Sequence, residues 1–174
     1  MKRKLWLGVL IFALVLTAWN AGLLADSAGA QSDGHGKVQN VIFMIGDGFS
    51  AAYATNYRLY KGDQPTLFDQ TLSGMIRTAS ADNAVTDSAA AATAMATGVK
   101  TNNDMVGMDP DGKKLKTILE AAKESGKSTG LVSTSSVTHA TPASFAAKVP
   151  HRNDEVAIAP QMLGKPDVLL GGGK

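Results

Sequence analysis

Solid apolar runs and helically spaced stretches follow one another along this chain. Val41 to Ile45 is a continuous apolar run stopped by Gly46-Asp47-Gly48. Bounded by turn residues in this way, it predicts a strand buried on both faces. Ser50 is placed to cap a helix running to about Tyr60 and ending near Gly62. Leu67 to Leu72 reads as a short helix, and Gly74 to Ser80 as a second strand. Asp87 to Thr97 is dominated by alanine, the best helix former, and Gly98 is its stop. Thr117 to Ser125 predicts a helix closed by Gly126, and Thr129 to Ser133 a third strand. Pro142 fits the first turn of a helix reaching about Lys148. Asp154 to Leu163 is helical in pattern, with Pro160 arguing for a break. Val168 to Leu170 is a fourth strand, followed by Gly171-Gly172-Gly173. Alternating strands and helices predict an α/β fold, layered, with a largely parallel sheet. The chain reaches Lys174 directly after a strand and a glycine turn, so the expected fold is incomplete.

The first 30 residues stand apart from that domain. Lys2, Arg3 and Lys4 precede an apolar run from Leu5 to Ala18, and Ala28-Gly29-Ala30 supplies the small residues of a cleavage site. This is the order of a secretory signal, recognised by signal peptidase and the export machinery, with a cut after Ala30. The competing reading is a membrane anchor, but the run is shorter than the roughly 20 residues a spanning helix needs. Residues 31–40 then read as a flexible mature N-terminus, and 41–174 as the domain. The expected location is secreted or periplasmic. Removing the signal takes away three of the 17 basic residues and Asp26 among the 15 acids, leaving no net charge. No basic face suggests nucleic acid. There is no cysteine, which excludes disulfides, thiolate catalysis and thiolate metal sites.

Four places could carry chemistry. Asp47 lies between glycines at the end of a predicted strand, where ligands gather in open α/β sheets. It suits a metal ligand, but Gly-Asp-Gly is also the wording of a plain turn. Ser88 opens the alanine helix behind Asp87, and a helix N-terminus favours an alkoxide or a phosphate. A serine needs a base or metal to become a nucleophile, and the competing reading is an ordinary cap. His139 and Thr141, two apart, would point the same way in extended chain and could ligate a metal; alternatively Thr141 caps the helix at Pro142 and His139 is solvated. Arg152 offers the bidentate donors that match phosphate, although a lone arginine is usually a surface residue.

Taken in order, Val41 to Gly48, then Val85-Thr86-Asp87-Ser88-Ala89 running on to Gly98, then Thr138-His139-Ala140-Thr141-Pro142-Ala143, then Arg152, resemble the alkaline phosphatase family. Asp167 to Gly173 is similar to that family as well, so the resemblance covers about Val41 to Lys174. It implies a layered α/β/α sandwich that hydrolyses phosphate monoesters through a phosphoserine. Ser88 would be the nucleophile and a zinc ligand. Asp87 would help position Arg152, which clamps the phosphate. Asp47 would bridge the second of two zinc sites and a magnesium site to which His139 and Thr141 belong. Some family members carry aspartate where this chain has His139. Imidazole is the softer ligand, so the third site is expected to be less committed to magnesium and open to zinc or cobalt. The full-length family is often homodimeric and draws most zinc ligands from later in its sequence, so these 174 residues alone are expected to have little activity. A sulfatase or phosphodiesterase of the same superfamily and a non-catalytic secreted phosphate-binding protein are the alternatives. The run Ala89-Ala90-Ala91 after Ser88 lacks the proline and arginine that a sulfatase needs.

Overall fold

The computed structural model describes residues 38–62 and 64–173. The expected signal at 1–30 and most of the stretch at 31–40 lie outside the described residues. The chain divides into two units, Met1–Met44 and Ile45–Lys174. In the first, residues 38–44 form neither helix nor strand, and Val41, Ile42 and Met44 are exposed. The buried strand expected at Val41 to Ile45 therefore does not form. A strand exists through its ladder, and no ladder among the described residues includes this run.

The second unit holds eight elements among the described residues: α1 (Ala51–Lys61), α2 (Leu67–Thr71), α3 (Ser88–Thr97), α4 (Ile118–Glu124), β1 (Gly130–Ser136), α5 (Ala140–Ala143), α6 (Glu155–Met162) and β2 (Val168–Gly172). The two strands pair in parallel, with Gly130 opposite Val168 and Val132 opposite Leu170. The α6 helix lies between the two strands in sequence, in the crossover that a parallel pair requires, and α4 precedes β1. The second expected strand, at residues 74–80, is also absent as a strand: Met75 and Ile76 are exposed and no ladder includes them.

Local chemistry explains the helix bounds. Asp87 caps α3, its carboxylate accepting from the Ala90 amide at 2.8 Å, and Gly98 closes it at φ 76°. Thr117 and Glu120 form a reciprocal capping box at the start of α4. Ser50 stands at the α1 N-cap position but its side chain makes no capping bond. The expected break at Pro160 does not occur. Ile158 and Met162 on either side of it are fully buried and hold α6 in place. The helix begun near Pro142 is shorter than expected, because α5 ends at Ala143 and continues as turns.

Small residues let these elements meet. The main core joins Ala89 of α3 to Ala140, Ala143, Ala146, Ala147, Val106, Val149, Ile158 and Met162. A second cluster gathers Ala96, Leu119 and Phe145. Thr93 lies inside α3 with no exposed surface, and its Oγ accepts from the Gly107 amide at 2.9 Å. Gly107 cannot be replaced lightly. It sits at φ 62°, and a Cβ there would come within 2.2 Å of the Ala147 carbonyl oxygen. This close approach lets Val106 and Val149 exchange two main-chain hydrogen bonds of 3.0 Å. That bridge brings the segment after α3 beside the one that carries Arg152.

Candidate active site

The α3 cap sets the first half of the site. Asp87 uses one carboxylate oxygen for the Ala90 amide, while the other receives Arg152 Nη1 at 3.1 Å and the Asp104 amide at 3.1 Å. Both side chains are largely buried, at 23% and 22% exposure. Ser88 follows as the first residue of the helix. No hydrogen bond among the described residues occupies its half-buried hydroxyl. It therefore stands at the positive end of a ten-residue helix, beside an ion-paired arginine.

The second half comes from the turn after β1. Thr141 Oγ donates to Asp47 Oδ2 at 2.8 Å, and His139 Nδ1 lies 3.9 Å from the same oxygen. His139 Nε2 lies 3.2 Å from Arg152 Nη2. A guanidinium can only donate, so Nε2 is the acceptor in that contact. The Thr141 amide points at Nδ1 from 3.5 Å, the long limit of a hydrogen bond. The alternative in which Thr141 caps the next helix does not hold: α5 begins at Ala140, and His139 takes the cap position. Thr141 then falls inside the helix, and its hydroxyl is free to reach Asp47.

Asp47, Thr141, His139, Arg152 and Asp87 thus form one connected set within the second unit, and Ser88 stands next to it as the residue after Asp87. Every candidate read from the sequence is in this set or next to it. Three residues that sequence reasoning missed support it. Asn103 Oδ1 accepts from the Asp87 amide at 3.0 Å. The Asp104 carbonyl accepts from the Arg152 amide at 2.8 Å. Glu155 accepts from the Thr138 hydroxyl, one residue before His139. The Asn102-Asn103-Asp104 run was the available signal, since these residues tolerate left-handed backbone.

An alkaline phosphatase family model matches residues 38–174. The chain belongs to the alkaline phosphatase family. It is 47% identical over 165 residues to alkaline phosphatase 4 of Bacillus subtilis, covering 86% of this chain and 36% of that protein. Among solved structures it resembles the cold-active alkaline phosphatase of a psychrophilic Shewanella species, at 43% identity and a TM-score of 0.72, over 75% of this chain and 35% of the other. It also resembles the alkaline phosphatase TAB5 in a variant with aspartate in place of a histidine and Mg bound in the M3 site. That match has 38% identity and a TM-score of 0.61, over 68% of this chain and 35% of the other. The chain therefore spans about a third of the length of the curated relatives it matches.

Asp47, Thr141 and His139 suit a divalent cation by donor type: a half-exposed carboxylate, a hydroxyl 2.8 Å from it, and an imidazole on the same side. Among the described residues no cluster of three or more histidine, aspartate or glutamate side chains is placed to hold a metal.

Proposed function

We propose that this chain supplies the nucleophile half of an alkaline phosphatase active site, acting on phosphate monoesters through a phosphoserine at Ser88. The observation that carries the reading is the double use of Asp87. One carboxylate caps the helix that starts at Ser88 and holds the guanidinium of Arg152. Nucleophile and phosphate clamp are thereby set against each other by a single side chain.

In this reading the remaining Arg152 N–H groups and the α3 N-terminus bind the nonbridging oxygens of the substrate phosphate. Ser88 Oγ forms a bond to phosphorus as the ester oxygen leaves and takes up a proton to become the alcohol. Water then cleaves the phosphoserine, and Ser88 recovers its hydroxyl as inorganic phosphate departs. Asp47, His139, Thr141 and Ser88 are the residues that would hold divalent metals, zinc and magnesium in this family reading. When bound, such ions lower the pKa of an attacking oxygen and neutralise charge on the phosphoryl group. Arg152 adds to that neutralisation and orients the group in line with Ser88. Leaving groups meet few of these residues, so broad monoester use follows.

Export by the signal at residues 1–30 and homodimerisation of the full-length enzyme belong to the same reading and rest on the sequence alone. No helix among the described residues is long and apolar enough to cross a membrane.

With so few metal donors gathered, the isolated chain should turn over little substrate. Residues 38–174, grafted in place of the matching segment of the Bacillus subtilis relative, should restore zinc-dependent hydrolysis of a chromogenic phosphate ester. Ser88→Ala in that graft should lower kcat by roughly a thousandfold or more. A graft that binds phosphate with no turnover would point to the non-catalytic binding protein instead.

A further inference from the structure

Asp104 is the one non-glycine residue with positive φ among the described residues, at 71°. An aspartate in the left-handed region is strained relative to glycine unless its surroundings require that shape. Here they do. Its amide donates to Asp87 Oδ2 at 3.1 Å, and its carbonyl accepts from the Arg152 amide at 2.8 Å. The left-handed turn at this point turns the amide and the carbonyl of one residue toward the two partners of the Asp87–Arg152 ion pair. The exposed side chain of Asp104 takes no part in a hydrogen bond among the described residues.

Asn103, just before it, grips the other side of the nucleophile segment. Its Oδ1 accepts from the Asp87 amide at 3.0 Å, and its Nδ2 donates to the Val85 carbonyl at 3.0 Å. One side-chain amide thus reproduces a strand's paired bonds along the residues leading into Ser88. Asn103 is itself anchored, its own amide donating to Asp82 Oδ1 at 3.0 Å, and Ser80 Oγ donates to the same oxygen at 2.9 Å. That amide holds the Asp82 carboxyl below its ordinary value, consistent with a carboxylate that stays ionised to anchor the turn.

We propose that the Asn103–Asp104 turn is a positioning device that fixes the Ser88 segment and Arg152 in mutual register, through the Asn103 side chain and the Asp104 main chain. It touches neither substrate nor metal. The inference rests on the functional reading above for its purpose, but its geometry is testable without turnover.

The test is residue-resolved amide hydrogen exchange and NMR on this chain carrying Asn103→Ala or Asp104→Gly. In Asn103→Ala the Asp87 amide should exchange roughly tenfold faster, the factor that one net hydrogen bond carries. The Arg152 guanidinium resonance should move with it. Ala121 in helix α4 and its C-cap residue Ser125, which share no hydrogen bond with this turn, should stay within about twofold. Asp104→Gly keeps both main-chain bonds and relieves the strain, so Asp87 and Arg152 should remain protected. An unchanged Asp87 amide in Asn103→Ala, or an equal rise at Ala121 and Ser125, overturns the proposal. So does lost protection at Arg152 in Asp104→Gly. If these shifts occur while the grafted enzyme shows no hydrolysis, the positioning stands and the functional reading fails.

Discussion

In the proposed reading, His139 is the residue whose chemistry would set what the metal side of the site prefers. Its Nε2 faces Arg152 and its Nδ1 faces Asp47, so one ring links the phosphate clamp to the candidate metal ligands. A carboxylate there would be a harder ligand than imidazole. His139→Asp in the grafted enzyme is expected to raise the occupancy of magnesium over zinc on the order of tenfold. Metal content after equilibration with both ions would measure it. Unchanged magnesium occupancy, or tight magnesium-only binding in the parent, would contradict the preference. At this scale the sequence was highly informative: Asp47, Ser88, His139, Thr141 and Arg152 were all legible as candidates. The partners that hold them were not. Asn103 and Asp104 act through an amide contact across 16 residues and a main-chain turn, and the Asn102-Asn103-Asp104 run is their only local trace.

Among the elements, α4 shows how one side chain can fasten several segments. Glu120 completes the capping box with the Thr117 amide and also receives Lys148 and Lys165 through hydrogen bonds. Partial burial pushes the Glu120 carboxyl up, but hydrogen bonds from Lys148, the Thr117 amide and Lys165 outweigh it and hold the pKa at about 2. Burial lowers the Lys148 ammonium below its ordinary value, against the pull of Glu120. Since the folded Glu120 value lies below its ordinary 4.5, its contribution is fully present above that pH and is lost as pH falls toward 2. Solvent screening keeps it to about 1 kcal/mol. Glu120→Gln should therefore lower stability at neutral pH and flatten its fall between pH 4.5 and 2, as followed by urea unfolding; an unchanged acid profile would contradict this. Helices with local signals, such as the alanine run of α3 and the capping box of α4, were readable because their causes lie within a few residues. The runs at residues 41–45 and 74–80 were not strands, because apolar composition specifies a strand only when a neighbour supplies the ladder.

For the molecule as a whole, the same point governs what the chain can do. Among the described residues the sheet has two strands, and Val132, Val168 and Leu170 on them are exposed. The candidate side chains of Asp47, Asp87, His139, Thr141 and Arg152 still meet, because the contacts that place them are internal to the second unit: the α3 cap, the Val106–Val149 bridge and the turn after β1. In the proposed reading this is a half-site whose register rests on those contacts rather than on a complete sheet, and Ser88 is the nucleophile that accepts the phosphoryl group. The most direct measurement is acid quenching of the grafted enzyme during turnover of a phosphate monoester, followed by peptide mass spectrometry. The account predicts one phosphate on the peptide containing Ser88, absent in Ser88→Ala. Turnover that survives Ser88→Ala, or phosphate found on a different residue, would contradict it.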